Sequence, residues 1–284
     1  MKRSGLIVAR TICLAVAVAL FAQQQTEEAI VKQIEHGGCA LLDPAGAKLC
    51  GYDYSVDGHR VEALLFRPVA AAPTPGVLLI PGYQRTAQNL IPMGKGLAEA
   101  GFASIAVSQP GFGRSEGPAD FVGPKTLDAL TAGYRKLQSE PFVDPKLMGI
   151  YGYSRGGMAA SLLSVQIDDV KAAVFGAGVY DFKKAYDDSP LPGVRNNMKM
   201  ETGMTAEAIR DRSSILRMDA LKCPVLILHG EKDKNVPVSQ ALLLRDRLTA
   251  LHKDFEIKLF SDREHAIGPE VIPITVDFFQ RKLK

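Results

Sequence analysis

Short apolar runs alternate with amphipathic stretches along most of this chain. The runs G-V-L-L-I (76–80), F-A-S-I-A-V (102–107), L-M-G-I-Y-G (147–152), K-A-A-V-F-G (171–176), P-V-L-I-L-H (224–229) and F-E-I-K-L-F (255–260) predict strands. The stretches 89–100, 126–139, 156–165, 239–251 and 269–282 predict the helices between them; 126–139 carries its apolar residues at spacings of three and four. Strands that are apolar on both faces and alternate with amphipathic helices predict an α/β fold: a mostly parallel central sheet with helices on both faces.

Three segments stand outside this rhythm. Residues 23–50 form an N-terminal extension, weakly helical at 27–35, ahead of a main domain at 51–284. Y-D-Y-S-V-D-G-H-R-V-E-A-L-L-F-R-P predicts a hairpin turning at Asp57-Gly58, a strong turn pair. Residues 180–222, rich in charge, Met and Gly/Pro, show no clear strand. They predict a small, cap-like helical insertion above the C-terminal edge of the sheet, where ligands bind in such folds.

The first 22 residues predict a secretory leader. Lys2 and Arg3 precede an apolar run at 11–22 that ends in small residues. The run is shorter than the roughly 20 residues that span a bilayer, so the expectation is cleavage after Ala22, export, and no stable membrane span. The composition of the 284 residues, 46% hydrophobic and 23% charged, is that of a globular protein with a substantial core. The formal charge of +3 resides in Lys2, Arg3 and Arg10. The chain after the leader is neutral and has no basic patch, which argues against a nucleic-acid partner. Of four cysteines, Cys13 leaves with the leader and Cys223 begins a core strand. Cys39 and Cys50 are either a disulfide, which an oxidising compartment permits, or two buried thiols.

The strongest chemical signal is G-Y-S-R-G-G (152–157), directly after an apolar strand and before a helix. That is the context of a nucleophile elbow, a sharp turn in which glycines keep the space around Ser154 clear. A serine hydroxyl needs a base, and in this chain order the base comes last, after an acid. His265, after the final strand, fits the base; His36, His59, His229 and His252 fit less well. Asp233, in the loop L-H-G-E-K-D-K-N-V-P, fits the acid that would hold the imidazole in its working tautomer. Glu231, Asp262 and Glu264 are the competing acids. The developing oxyanion needs backbone N–H donors. Arg155 would supply one, and Tyr83 in I-P-G-Y-Q-R-T the other, with Gln84 next. Q-P-G-F-G-R-S-E-G (109–117) has neither G-x-G-x-x-G spacing nor a suitable lysine, and predicts a loop at the rim of the site. No metal-ligand motif is present, so neither metal nor cofactor is expected.

Taken in order, D-G-H-R-V-E-A-L-L-F-R-P, I-P-G-Y, P-F-V-D-P-K-L-M-G-I-Y-G-Y-S-R-G-G, C-P-V-L-I-L-H-G-E-K-D-K-N-V-P and the final E-H resemble the α/β-hydrolase superfamily over residues 51–284. The branch they resemble contains prolyl-oligopeptidase catalytic domains, acyl-aminoacyl peptidases and dienelactone-hydrolase-like esterases. The resemblance implies the α/β-hydrolase fold and a triad of Ser154, Asp233 and His265. The chain departs from many relatives in reading P-G-Y after Ile80 and in carrying Gln109 where they have Asp. Nor does it contain the β-propeller with which the oligopeptidases of that branch select short peptides.

The expectation is therefore an exported serine hydrolase, cleaving a carboxylic ester or a small amide or peptide through a Ser154 acyl-enzyme. Its partner would be a small ester or short peptide. The alternative enzyme is an exopeptidase or oligopeptidase, with Asp187, Glu201 or Glu207 of the insertion receiving a free amine. A non-catalytic binding protein on a hydrolase scaffold is a third possibility, disfavoured by the presence of all three triad candidates.

Overall fold

The computed structural model describes residues 29, 31–34 and 37–284. The expected leader and His36 lie outside these residues. Of the helix expected at 27–35, the described residues 29 and 31–34 are helical.

The described residues fold around a nine-stranded sheet. Its strands are β1 (Cys39–Leu41), β2 (Lys48–Gly51), β5 (Ala63–Arg67), β6 (Thr74–Ile80), β7 (Ala103–Val107), β8 (Val143–Tyr153), β9 (Val170–Gly176), β10 (Val225–Gly230) and β11 (Phe255–Phe260). The remaining two, β3 (Tyr54–Val56) and β4 (His59–Val61), form a separate ladder. The order across the sheet is β1-β2-β5-β7-β6-β8-β9-β10-β11. Pairing is parallel from β7 to β11 and antiparallel at the β1, β2 and β5 end.

The α-helices described over their whole length are α1 (Ile91–Glu99), α2 (Pro124–Gln138), α3 (Arg155–Ser164), α4 (Phe182–Asp188), α5 (Pro192–Thr202), α6 (Ala206–Arg212), α7 (Ser239–Ala250) and α8 (Val271–Leu283). The period of two along each strand splits its side chains between two cores. Leu78, Ile80, Ile150, Ala173 and Phe175 face Leu130 and Tyr134 of α2, Met158 of α3 and Leu244 of α7. Val77, Leu79, Tyr151, Ala172 and Val174 face Leu97 of α1 and Phe278 and Phe279 of α8. Helices therefore cover both faces of a mostly parallel sheet, the α/β-hydrolase architecture that the alternation and the resemblance imply.

Two local expectations change. The hairpin forms only between Tyr54 and Val61, around Asp57 (φ 50°) and Gly58 (φ 80°), both in the left-handed region that a tight hairpin turn needs. Its expected second arm divides at buried Glu62. Beyond that residue A-L-L-F is buried on both faces, and β5 inserts between β2 and β7 instead. The N-terminal extension, read as 23–50, also contributes to the sheet. β1 and β2 add antiparallel strands to its edge, so the sheet begins at Cys39 rather than at 51. Strands of three and four residues are too short for periodicity to reveal. Cys39 and Cys50 face each other across that pair and are joined in a disulfide, whereas Cys223 is a buried free thiol.

The segment 180–222 is helical, as expected. It consists of α4, α5, α6 and a 3-10 turn (Ser214–Ala220).

Candidate active site

β8 ends at Tyr153 and α3 begins at Arg155, leaving Ser154 alone on the turn with φ 58° and ψ −122°. For a residue with a side chain this conformation costs on the order of 1–3 kcal/mol and has to be imposed by its surroundings. The neighbouring chain imposes it. The Ser154 N–H donates to the Gly176 carbonyl at 2.7 Å, and the Ser154 carbonyl accepts from the Met158 N–H at 3.1 Å. A Cβ on Gly152 would stand 1.9 Å from the Gly156 carbonyl oxygen, and one on Gly156 2.1 Å from that of Ile80. Only hydrogen fits at either place, so the spacing of the two glycines about Ser154 is a steric requirement of the turn.

The loops after β10 and β11 bring two further residues to this serine. The His265 Nε2 lies 2.8 Å from the Ser154 Oγ, and the His265 Nδ1 lies 2.7 Å from the Asp233 Oδ2. The carboxylate fixes the tautomer: Nδ1–H donates to Asp233, leaving Nε2 to accept the serine hydroxyl proton.

Asp233 is buried, which pushes its carboxyl pKa up. Hydrogen bonds from His229 and His265 and from the Val236 N–H outweigh that effect and hold the pKa down at about 2. The Asp233 Oδ1 accepts the N–H groups of Asn235 and Val236 at 2.8 and 2.9 Å. His229 is fully buried behind the acid, its Nε2–H donating to the Val236 carbonyl at 2.9 Å and lying 3.4 Å from the Asp233 Oδ2. Of the competing acids, Asp262 reaches out to Lys232, while Glu231 and Glu264 are exposed.

Tyr83 follows Gly82, which touches the nucleophile: a Cβ on Gly82 would stand 3.2 Å from the Ser154 Cβ. Gln109 stabilises this loop from below, its Nε2–H donating to the Pro81 carbonyl at 2.7 Å. Among the described residues nothing accepts a hydrogen bond from the Tyr83 or Arg155 backbone N–H. An oxyanion donor has to be uncommitted in this way. A second support is Glu62, buried between strand ends. It accepts from the Gln88 amide (2.8 Å), the Ser108 hydroxyl (2.7 Å) and the Arg114 guanidinium (2.9 Å), while Ser108 in turn accepts the Ala87 N–H (2.8 Å). This joins the Tyr83 loop to the 109–117 loop, which contains Arg114.

Sequence reasoning does not reveal Gln109 and Glu62 as supports of the site, because their partners lie far along the chain. The motif around Arg155 likewise gives no hint that its side chain pairs with Glu201 of α5.

Ser154 and His265 open onto a cavity of about 580 Å³. Its wall is largely apolar, with Leu90, Phe121, Met158, Val179, Val194, Met198, Ile267 and Val271. Val194, Asn197 and Met198 come from α5, so the insertion does form part of the wall.

The profile of the prolyl oligopeptidase family matches residues 119–284. Peptidase YtmA of Bacillus subtilis (strain 168), an uncharacterised peptidase, is 31% identical over 224 residues, which cover 76% of this chain and 86% of that protein. Two solved structures share the fold. The acylaminoacyl peptidase of Pyrococcus horikoshii superposes with a TM-score of 0.74 at 20% identity, covering 84% of this chain and 42% of that one. Acetyl xylan esterase 1 of Thermoanaerobacterium sp. JW/SL YS485 superposes with a TM-score of 0.67 at 16% identity, covering 91% of this chain and 92% of its own. Taken with the extent of the profile match and the YtmA likeness, the chain belongs to the prolyl oligopeptidase family of serine hydrolases.

Proposed function

We propose that this protein hydrolyses a small carboxylic ester, or a short amide or peptide, through an acyl-enzyme on Ser154. The observation that carries this reading is the unbroken chain from the Ser154 Oγ through the His265 ring to the Asp233 carboxylate, with steps of 2.8 and 2.7 Å, at the wall of an apolar cavity. In the first half-reaction the Ser154 Oγ forms a bond to the substrate carbonyl carbon while its proton passes to the His265 Nε2. The carbonyl electrons collect on oxygen, facing the N–H groups of Tyr83 and Arg155. As the carbonyl re-forms, the bond to the leaving oxygen or nitrogen breaks, and that atom takes the proton from His265. In the second half-reaction water attacks the acyl-Ser154 carbonyl, giving its proton to His265, and the serine departs with that proton. Asp233 stays ionised throughout and stabilises the imidazolium.

The exopeptidase alternative needs an acid for a free substrate amine, and the three acids considered for that role are placed elsewhere. Glu201 pairs with Arg155, Asp187 pairs with Lys183, and Glu207 is exposed in the first turn of α6. Purified protein tested on p-nitrophenyl esters and on N-acetylated and free aminoacyl p-nitroanilides decides between the two. Turnover of esters and acetylated anilides is expected; turnover confined to the free-amine anilides would contradict the reading.

Export is part of the same proposal. The apolar leader and the Cys39–Cys50 disulfide both suit an oxidising compartment outside the cytoplasm. Accumulation of uncleaved protein in the cytoplasm of the native cell would contradict it.

A further inference from the structure

The side chain that follows the nucleophile makes a contact the triad does not need. Arg155 directs its guanidinium into the gap between the elbow and the insertion, where its side chain is 3% exposed. Three rings surround it, with centroids at 4.4 Å (Phe121), 5.3 Å (Phe112) and 5.4 Å (Tyr83). Its two terminal nitrogens both reach the Glu201 carboxylate, Nη1 to Oε1 at 3.2 Å and Nη2 to Oε2. Glu201 is also largely buried and accepts the Phe121 N–H at 2.8 Å.

The loop that contains Phe121 is held by the insertion a second time. The Arg212 Nε donates to the Phe121 carbonyl at 2.8 Å, and its Nη2 to the Asp120 carbonyl at 2.6 Å. Phe121 and Val122 have φ of 46° and 57°, a strained conformation for residues with side chains, and these bonds maintain it.

The consequence is electrostatic. Arg155, Phe121 and Met198 line the cavity, while Glu201, three residues beyond Met198 on α5, lies outside the lining and cancels the Arg155 charge from behind. Among the described residues, the other guanidinium lining the cavity is that of Arg85, which is exposed to solvent. A buried cation without its partner would attract an anionic substrate group strongly in so apolar a wall.

We propose that the Arg155–Glu201 pair determines specificity: it presents substrates with an electrically neutral, apolar wall beside Ser154 and so selects uncharged acyl groups over acyl groups ending in a carboxylate or an amine. This rests on the serine-hydrolase assignment and goes beyond it by naming the acyl class and the residues that choose it.

The test compares p-nitrophenyl esters of equal chain length whose far end is neutral (hexanoyl), anionic (adipoyl) or cationic (6-aminohexanoyl). On wild-type protein, kcat/KM for hexanoyl should exceed that for each charged ester by about 100-fold. Glu201→Gln keeps the shape of the acid and frees the Arg155 charge, so the adipoyl-to-hexanoyl ratio should rise by about 30-fold. The double variant Arg155→Met with Glu201→Met removes both charges and should return the ratio towards the wild-type value. Labelling by a fluorophosphonate, followed for every variant, reports the nucleophile independently of acyl preference. A wild-type protein that accepts either charged ester as readily as hexanoyl overturns the proposal. So does an unchanged ratio in a Glu201→Gln variant that labels normally. Should that variant fail to fold, the wild-type comparison decides alone. An unlabelled wild-type protein would remove the serine-hydrolase reading itself rather than the account of specificity.

Discussion

Tyr153, the residue before the nucleophile, donates its phenol O–H to the backbone carbonyl of His265 at 2.6 Å. The same oxygen accepts the Ile267 N–H at 3.3 Å. The elbow thus positions the histidine loop directly, by a route that does not pass through the serine hydroxyl. Tyr153→Phe keeps the ring and removes both bonds. Loss of a hydrogen bond of about 1 kcal/mol at a site where alignment matters should lower kcat roughly 5- to 10-fold. KM should change little, and fluorophosphonate labelling should slow in parallel with kcat. Equal kcat in variant and wild type would show that the loop is placed without this bond.

Asp233→Asn should lower kcat by about 10⁴-fold, because an amide favours the wrong imidazole tautomer. A pre-steady-state burst measured with an activated ester separates loss of chemistry from loss of binding.

The same acid governs part of the stability at low pH. Hydrogen bonds from His229 and His265 and from the Val236 N–H hold the folded pKa of Asp233 at about 2, against the opposing effect of burial. A depressed carboxyl contributes stability that is fully present above its unfolded pKa, near pH ~4, and is lost as pH falls through the folded value. That contribution is about 2 kcal/mol. Urea unfolding of wild type and Asp233→Asn should therefore show a gap that narrows as pH drops from about 4 towards about 2. A gap that stays constant over this window would contradict the assignment of Asp233 as the buried, ionised group.

The Cys39–Cys50 bond ties together an edge made of two very short strands. Closing a loop with a sequence separation of 11 should stabilise the fold by roughly 2–3 kcal/mol on chain-entropy grounds. Cys39→Ser with Cys50→Ser should lower Tm by several degrees while leaving esterase kcat close to wild type, since this edge is remote from Ser154 in the sheet order. A large loss of kcat at a temperature where the variant remains folded would count against that separation of roles.

The parts of the fold legible in the sequence are those with a strong local signature. Strands β6, β7 and β10 are buried along their whole length and read as apolar runs, and G-Y-S-R-G-G records the steric demands of a turn whose glycines touch the Ile80 and Gly156 carbonyls. Asp233 and His265 are legible only through their order after Ser154, and the structure brings all three together. What escapes sequence reading depends on contacts between distant segments. Glu201 is 46 residues from Arg155, and Glu62 is 46 from Ser108. Nothing local to A-L-L-F announces that its strand leaves the hairpin for the sheet; burial on both faces decides it.

The most direct test of the account is covalent labelling of the purified protein with a fluorophosphonate, followed by intact-mass analysis and peptide mapping. One added label per chain is expected, located on Ser154. No label is expected on Ser154→Ala, although that variant should unfold with the same cooperativity as wild type, and labelling of a folded His265→Ala should be strongly slowed. A label on another residue, or a folded wild-type protein that takes none while its esterase activity persists, would contradict the claim that Ser154 is the nucleophile.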